Sequence, residues 1–311
     1  MKKAFFTFLS FLSFFPTVFA QTDTTQTKYW SWGGAGTVNI GQIALSNWAA
    51  GGQNTVSVLG VASLHANYTR GTSAWDNTLN INYGATKNEG HRFIKNDDRL
   101  ELNLKYGRQA FGKWYYAALG NLKTQLTPTY TPERDSVMSD FFSPAFMLAS
   151  IGLDYRPSED FSFFVSPLTG KFTIVKSQRM ADAGAFGVDP ARLDENGRRI
   201  LGTGRRGRQE LGAYIAVKLK KPVMENISYQ SKLELYSSYT SNPKNIDVNW
   251  QNKIDMKVNK FISVTIFTDL IYDDDIDVPL DRNDDGIMDG KGPRIQFKET
   301  LGVGLSYKFG V

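Results

Sequence analysis

The chain has 311 residues, with 36 Lys and Arg against 31 Asp and Glu, a formal charge of +5, two His and no Cys. The missing thiols exclude disulfides, iron–sulfur clusters and thiolate zinc sites. So small a positive surplus, part of it from Lys2 and Lys3, does not mark a nucleic-acid binder, and no nucleic acid is expected among the partners.

The first twenty residues, "MKKAFFTFLSFLSFFPTVFA", combine a positive start, an apolar stretch, the helix-breaking Pro16 and the small residues Val18 and Ala20 at cleavage spacing. This is the pattern of a secretory signal peptide cut after Ala20. Residues 21–36 are read as a periplasmic N-terminal segment and residues 37–311 as one domain.

That domain alternates. Apolar residues recur with period two in about twelve runs, which is the pattern of strands with one apolar and one wet face. The first run covers residues 37–46. In the second, Val56, Val58, Leu64 and Tyr68 oppose Ser57, Ser63, His65 and Asn67. The third sets Trp75, Leu79, Ile81 and Tyr83 against Asp76, Thr78, Asn80 and Asn82, and the fourth sets Leu100, Leu102, Leu104 and Tyr106 against Arg99, Glu101, Asn103 and Lys105. Further runs cover 113–126, 145–155, 161–175, 210–220, 227–239, 246–258, 262–272 and 295–311. Pro167 and Gly170 interrupt the seventh run and shift its apolar set, which predicts a bulge or bend there.

The connections alternate too. Even-numbered ones are tight ("TRGTSA", "GRQAFGK", "RPSED", "KKPVMEN", "VNK"), whereas the odd-numbered ones are mostly long. Short turns on one rim and long loops on the other are expected of a transmembrane antiparallel up-and-down β-barrel of outer-membrane type, with about twelve strands. The bacterial outer membrane is the expected location, and its lipid and lipopolysaccharide are expected partners. Tyr68, Trp75, Tyr106, Trp114, Tyr155, Phe161 and Phe309 all lie on apolar faces beside tight turns or the C-terminus, as an interfacial aromatic girdle requires. The last run, "LGVGLSYKFGV", is expected to pair with the first and close the barrel.

The polar faces mix both signs of charge, which predicts a salt-bridged, partly filled interior. A narrow channel is the alternative, because twelve strands enclose more space than eight.

Three loop motifs carry candidate sites. "DRNDDGIMD" places Asp281, Asn283, Asp285 and Asp289 at calcium-loop spacing, with Gly286 for the turn and the Ile287 carbonyl as a further ligand. No cofactor is required by this reading, and Ca2+ in the 281–289 loop is the one metal it offers, with Asp273, Asp274, Asp275 and Asp277 nearby. "GRRILGTGRRGR" puts Arg198, Arg199, Arg205, Arg206 and Arg208 on the longest outside loop, where guanidinium forks suit lipid phosphates. Asn47, Trp48, Gly51 and Gly52 form the first outside connection, where Trp suits the core of an interface with another outer-membrane or surface protein. Catalytic residues are not found: the two histidines, His65 and His91, fall in no nucleophile or metalloprotease motif.

Two segments, "IALSNWAAGGQNTVSVLG" and "DFFSPAFMLASIGLDYRPSEDFSFFVSPLTGKFTIV", resemble a Bacteroidota family of exported proteins known only as a domain of unknown function. The resemblance implies an outer-membrane location and carries no activity or site residues. The sequence is thus read as a non-enzymatic barrel, a scaffold or accessory subunit of an envelope assembly, export or uptake complex. A porin-like diffusion channel is the second reading and a surface hydrolase the third.

Overall fold

The computed structural model describes residues 29–45, 53–131, 136–280 and 290–310. The leader, the 281–289 loop and the Asn47, Trp48, Gly51 and Gly52 segment lie outside the described residues. Twelve antiparallel strands form a closed barrel: β1 (Trp30–Ile43), β2 (Thr55–Arg70), β3 (Ser73–Asn88), β4 (Ile94–Phe111), β5 (Trp114–Thr124), β6 (Ala145–Ser158), β7 (Phe161–Ile174), β8 (Gly207–Met224), β9 (Ile227–Ser238), β10 (Asp247–Lys257), β11 (Ile262–Tyr272) and β12 (Gln296–Gly310). Each pairs with its sequence neighbours, and β12 returns to β1 through pairs running from Gly33↔Gly310 to Asn39↔Gly304.

The first strand starts at Trp30, not at residue 37, so residues 30–36 belong to the wall and not to a periplasmic segment. The glycines of "WSWGGAG" hide this from an apolar count. A Cβ on Gly33 would lie 2.7 Å from the Phe309 carbonyl oxygen, and one on Gly34 equally close to that of Ser63. Close strand approach at the closing seam therefore selects glycine over the alternation.

The apolar faces point outward. Ile40, Ile151, Leu211, Leu301, Val303 and Leu305 are exposed on the outside of the wall. A closed barrel leaves no unpaired strand edge, and an apolar outside over a charged inside lets strands cross a bilayer. Beside the tight turns the aromatics fall into one row: Trp30↔Tyr68↔Trp75↔Tyr106 are successive cross-strand partners. Rings of Trp30 and Tyr68 stand 5.2 Å apart, and those of Trp114 and Tyr155 5.0 Å. Two of the tight turns, at Gly71 and Gly112, need positive φ (56° and 53°), which glycine adopts without strain.

The interruption in β7 is a bulge. Ile151 pairs with Leu168 but Leu153 with Val165, and Gly212 pairs with Thr169 but Tyr214 with Ser166, so β7 carries one extra residue against both neighbours. Pro167 and Leu168 consequently both point outward. Ser166 Oγ lies within 2.9 Å of both the Ile151 and the Leu168 carbonyl oxygens and shares its one proton with them, at carbonyls the bulge disturbs.

At the loop rim, residues 175–206 form an ordered connection containing α1 (Gln178–Asp182). Val175, Met180, Ala181 and Val188 bury a small apolar cluster with Val137 and Phe186 packed on it. Asp182 holds the connection: its carboxylate accepts from the N–H of Gly202 (2.8 Å) and Gly204 (2.9 Å) and from Gln178 Nε2 (2.9 Å). These bonds, Gly202 first, lower the carboxyl below its ordinary range. Gly204 is pressed onto α1, where a Cβ would meet the Ala181 carbonyl at 2.6 Å. Gly204→Ala is therefore expected to lift the connection and speed tryptic cleavage at Arg205 and Arg206 at least tenfold, with the barrel itself still folded on gels.

Candidate functional site

The lumen is where this chain concentrates its chemistry. Alternation places Asp97, Arg99, Glu101 and Lys105 of β4 inside, facing Lys232 and Glu234 of β9 from nearly the opposite wall. Lys232 Nζ lies 2.9 Å from Glu101 Oε1 and 3.0 Å from Glu234 Oε1, so one ammonium links the two walls. Lys123 of β5 reaches Glu234 Oε2 at 2.7 Å, and Arg99 pairs with Glu101 and, at 3.0 Å, with Asp269 of β11. Tyr214 donates its hydroxyl to Glu234 at 2.6 Å. This belt crosses the barrel, and water scarcely reaches its carboxylates: Glu101 is 3% exposed and Glu234 7%.

The belt is backed by packing. Ala117, Phe164, Tyr214, Ala216 and Tyr236, inward-facing from β5, β7, β8 and β9, form a buried cluster that fills one side of the lumen. A second tier lies nearer the tight turns: Lys105 reaches fully buried Asp154 at 2.7 Å, and Arg156 bridges Asp154 and Asp76. The opposite wall is thinner. β1 and β12 present Gly33, Ala35, Thr37, Gly302, Gly304 and Ser306 inward, and Asn39 lies over the two β12 glycines, where a Cβ on Gly304 would clash with it.

Pairs continue to the loop rim. Lys298 meets Asp97 at 2.6 Å, and Lys171 sits between Asp247 (2.6 Å) and Asp273 (3.0 Å). Asp247, Asp273 and Asp274 are close enough to share an ion, but the Lys171 ammonium already sits against two of them and balances one of their charges. Asp274 accepts from Asn242 and Asn245, and Asp275 pairs with Arg208 at 2.7 Å. Asp273, Asp274 and Asp275 are each engaged within the mouth.

Of the five loop arginines, Arg198, Arg199, Arg205 and Arg206 are exposed, Arg205 facing Asp189 at 3.5 Å. Arg208 departs from the expected lipid contact. It turns into the mouth, pairs with Glu210 and Asp275, and donates to the Gly187 carbonyl and Ser241. Arg208 is the second residue of β8, so its direction follows the strand and not the flexible composition around it. Arg156 and Lys171 are not legible as lumenal residues in the sequence. Arg156 sits in a segment read as a turn, and Lys171 lies beyond the bulge that reverses the face of every following residue.

The fold and lumen define an outer-membrane-type barrel with a charged, internally paired interior. Residues 40–130 match the model of a family described as "Protein of unknown function (DUF3078)". No curated protein matches the chain. Among solved structures, the translocator domain of autotransporter NalP from Neisseria meningitidis is similar at 10% identity and TM-score 0.38, over 92% of this chain and 90% of that one. An outer membrane channel from Pseudomonas putida F1 is similar at 10% identity and TM-score 0.38, over 92% of this chain and all of that one.

Proposed function

We propose that this protein is a non-enzymatic integral outer-membrane barrel acting as a scaffold or accessory subunit of an envelope assembly, export or uptake complex. The observation that carries this reading is the belt of Arg99, Glu101, Lys123, Lys232, Glu234 and Asp269 across the lumen, where a diffusion pore needs open water. Its oppositely charged partners cancel, so it supplies neither a single-sign filter nor an unpaired catalytic acid or base. The ordered 175–206 connection, packed against the neighbouring loops, offers a surface for a partner at the outer rim.

The second reading, a narrow porin-like channel, is favoured by one feature: the small residues of β1 and β12 opposite the packed side. Planar-bilayer conductance of the folded protein separates the two. We expect the wild-type protein to be silent and Arg99→Ala with Lys232→Ala to give current steps, because the two cations linking the walls are then gone. Reproducible steps from the wild type would replace the scaffold by the channel. Calcium binding at Asp281, Asn283, Asp285, Ile287 and Asp289 is retained as a proposal resting on the motif, and the recordings are to be made with calcium and with chelator.

A further inference from the structure

We infer that the turn-side half of the lumen is a binding vestibule for a compact multivalent oxyanion of phosphate or polyphosphate type. The evidence is a contrast within one lumen. From the belt to the loop rim each lumenal lysine, Lys123, Lys171, Lys232 and Lys298, has a carboxylate within 3.0 Å. Towards the tight turns the β3–β6 side keeps its pairs, Lys105 with Asp154 and Arg156 with Asp154 and Asp76, but on the β8–β12 side the pairing stops. Lys218, Lys220, Lys257 and Lys308 have no ion pair among the described residues, and Lys253 has only its strand neighbour Asp255, at 2.9 Å.

Four of these lysines converge below the belt, and Lys218 links them to it. Lys218 and Lys220 are consecutive inward residues of β8, and Lys220 and Lys253 flank Gln230 in one cross-strand row. Lys308, four strands round the wall on β12, is within electrostatic reach of Lys220, Lys253 and Lys257, with Asp255 as the opposing charge. Lys218 stands directly across the ladder from Lys232, an arrangement that repels unless a counter-charge is present. Glu101 and Glu234 balance Lys232 and leave Lys218 without one.

The chemistry selects the ligand. Lysine ammoniums act as point charges with three donors each, suited to several oxygens of a small anion approached from different sides. One carboxylate, Asp255, among the four cations Lys220, Lys253, Lys257 and Lys308 leaves room for more than one negative charge on the ligand. The lysines lie at the turn-side ends of their strands, so the ligand enters from the periplasmic mouth. Because the lysines line the chamber whether or not the belt is tight, the inference stands apart from the scaffold reading.

Isothermal titration of the folded, full mature protein with sodium pyrophosphate tests it. We expect saturable binding at low salt that falls steeply as salt is added. Lys220→Gln with Lys308→Gln should weaken it at least tenfold, and Arg198→Gln with Arg199→Gln should leave it unchanged. Pyrophosphate should also raise the unfolding temperature of the wild type but not of the lysine variant. If the double variant does not fold, Lys257→Gln alone is to be compared. Absence of saturable heat, equal binding by the lysine variants, dependence on the loop arginines, or binding of an acidic peptide but not pyrophosphate would each overturn the assignment.

Discussion

Glu101→Gln combined with Glu234→Gln is expected to cost about 3–5 kcal/mol of unfolding free energy, read from urea unfolding of the barrel in lipid vesicles. Both changes preserve side-chain volume, so the loss reports charge and not packing. Three cations depend on these two carboxylates: Lys232 touches both, Lys123 touches Glu234 and Arg99 touches Glu101. Desolvating an ammonium or guanidinium without a counter-charge costs several kcal/mol, more than the attraction of an intact pair contributes net. Adding Lys232→Met to the double variant should therefore restore a substantial part of the loss, because it removes the most deeply committed orphan. A double variant as stable as the wild type would mean that water already solvates the belt, and with it the argument for a filled lumen would fall.

Ile151→Arg should cost about 2–4 kcal/mol in the same assay, while Tyr155→Arg on the same strand should cost about 0–1 kcal/mol. Ile151 is mid-strand in β6 and 65% exposed on the outer face, whereas Tyr155 packs at a tilt against Trp114 in the girdle beside a tight turn. In water an exposed Ile to Arg change is almost neutral, so the gradient between the two positions measures lipid and not exposure. Equal small costs at both would place the apolar wall somewhere other than a bilayer.

Much of this was legible in the chain. Period-two alternation in "LGVGLSYKFGV" and its eleven companions, with tight connections alternating with mostly long ones, specifies an up-and-down barrel because only closure satisfies both the strand edges and the apolar faces. The girdle followed from Tyr68, Trp75 and Tyr106, since the ends of alternating runs mark the interfaces. The mixed charge of the lumen could be read off the polar members of each run, and with it the expectation of internal salt bridges.

Partner choice could not be read, and the reason is geometric. Alternation says which face a residue takes but not its height or which distant strand it opposes; those depend on stagger around the closed wall. Lys232 and Glu101 are far apart in sequence and meet only because β4 and β9 lie across the same lumen. Arg208 looked like one of five loop arginines until β8 carried it into the mouth beside Glu210 and Asp275. One extra residue at Pro167 and Leu168 turns Lys171 from the lipid face to the lumen. The sequence by itself determined the number of strands, the faces of its unbroken runs and the closed form, because these are set by local period and by the need to leave no edge. Only the tertiary structure decided which charges are paired and which lysines are left without partners, because that depends on how twelve staggered strands bring distant residues to one level.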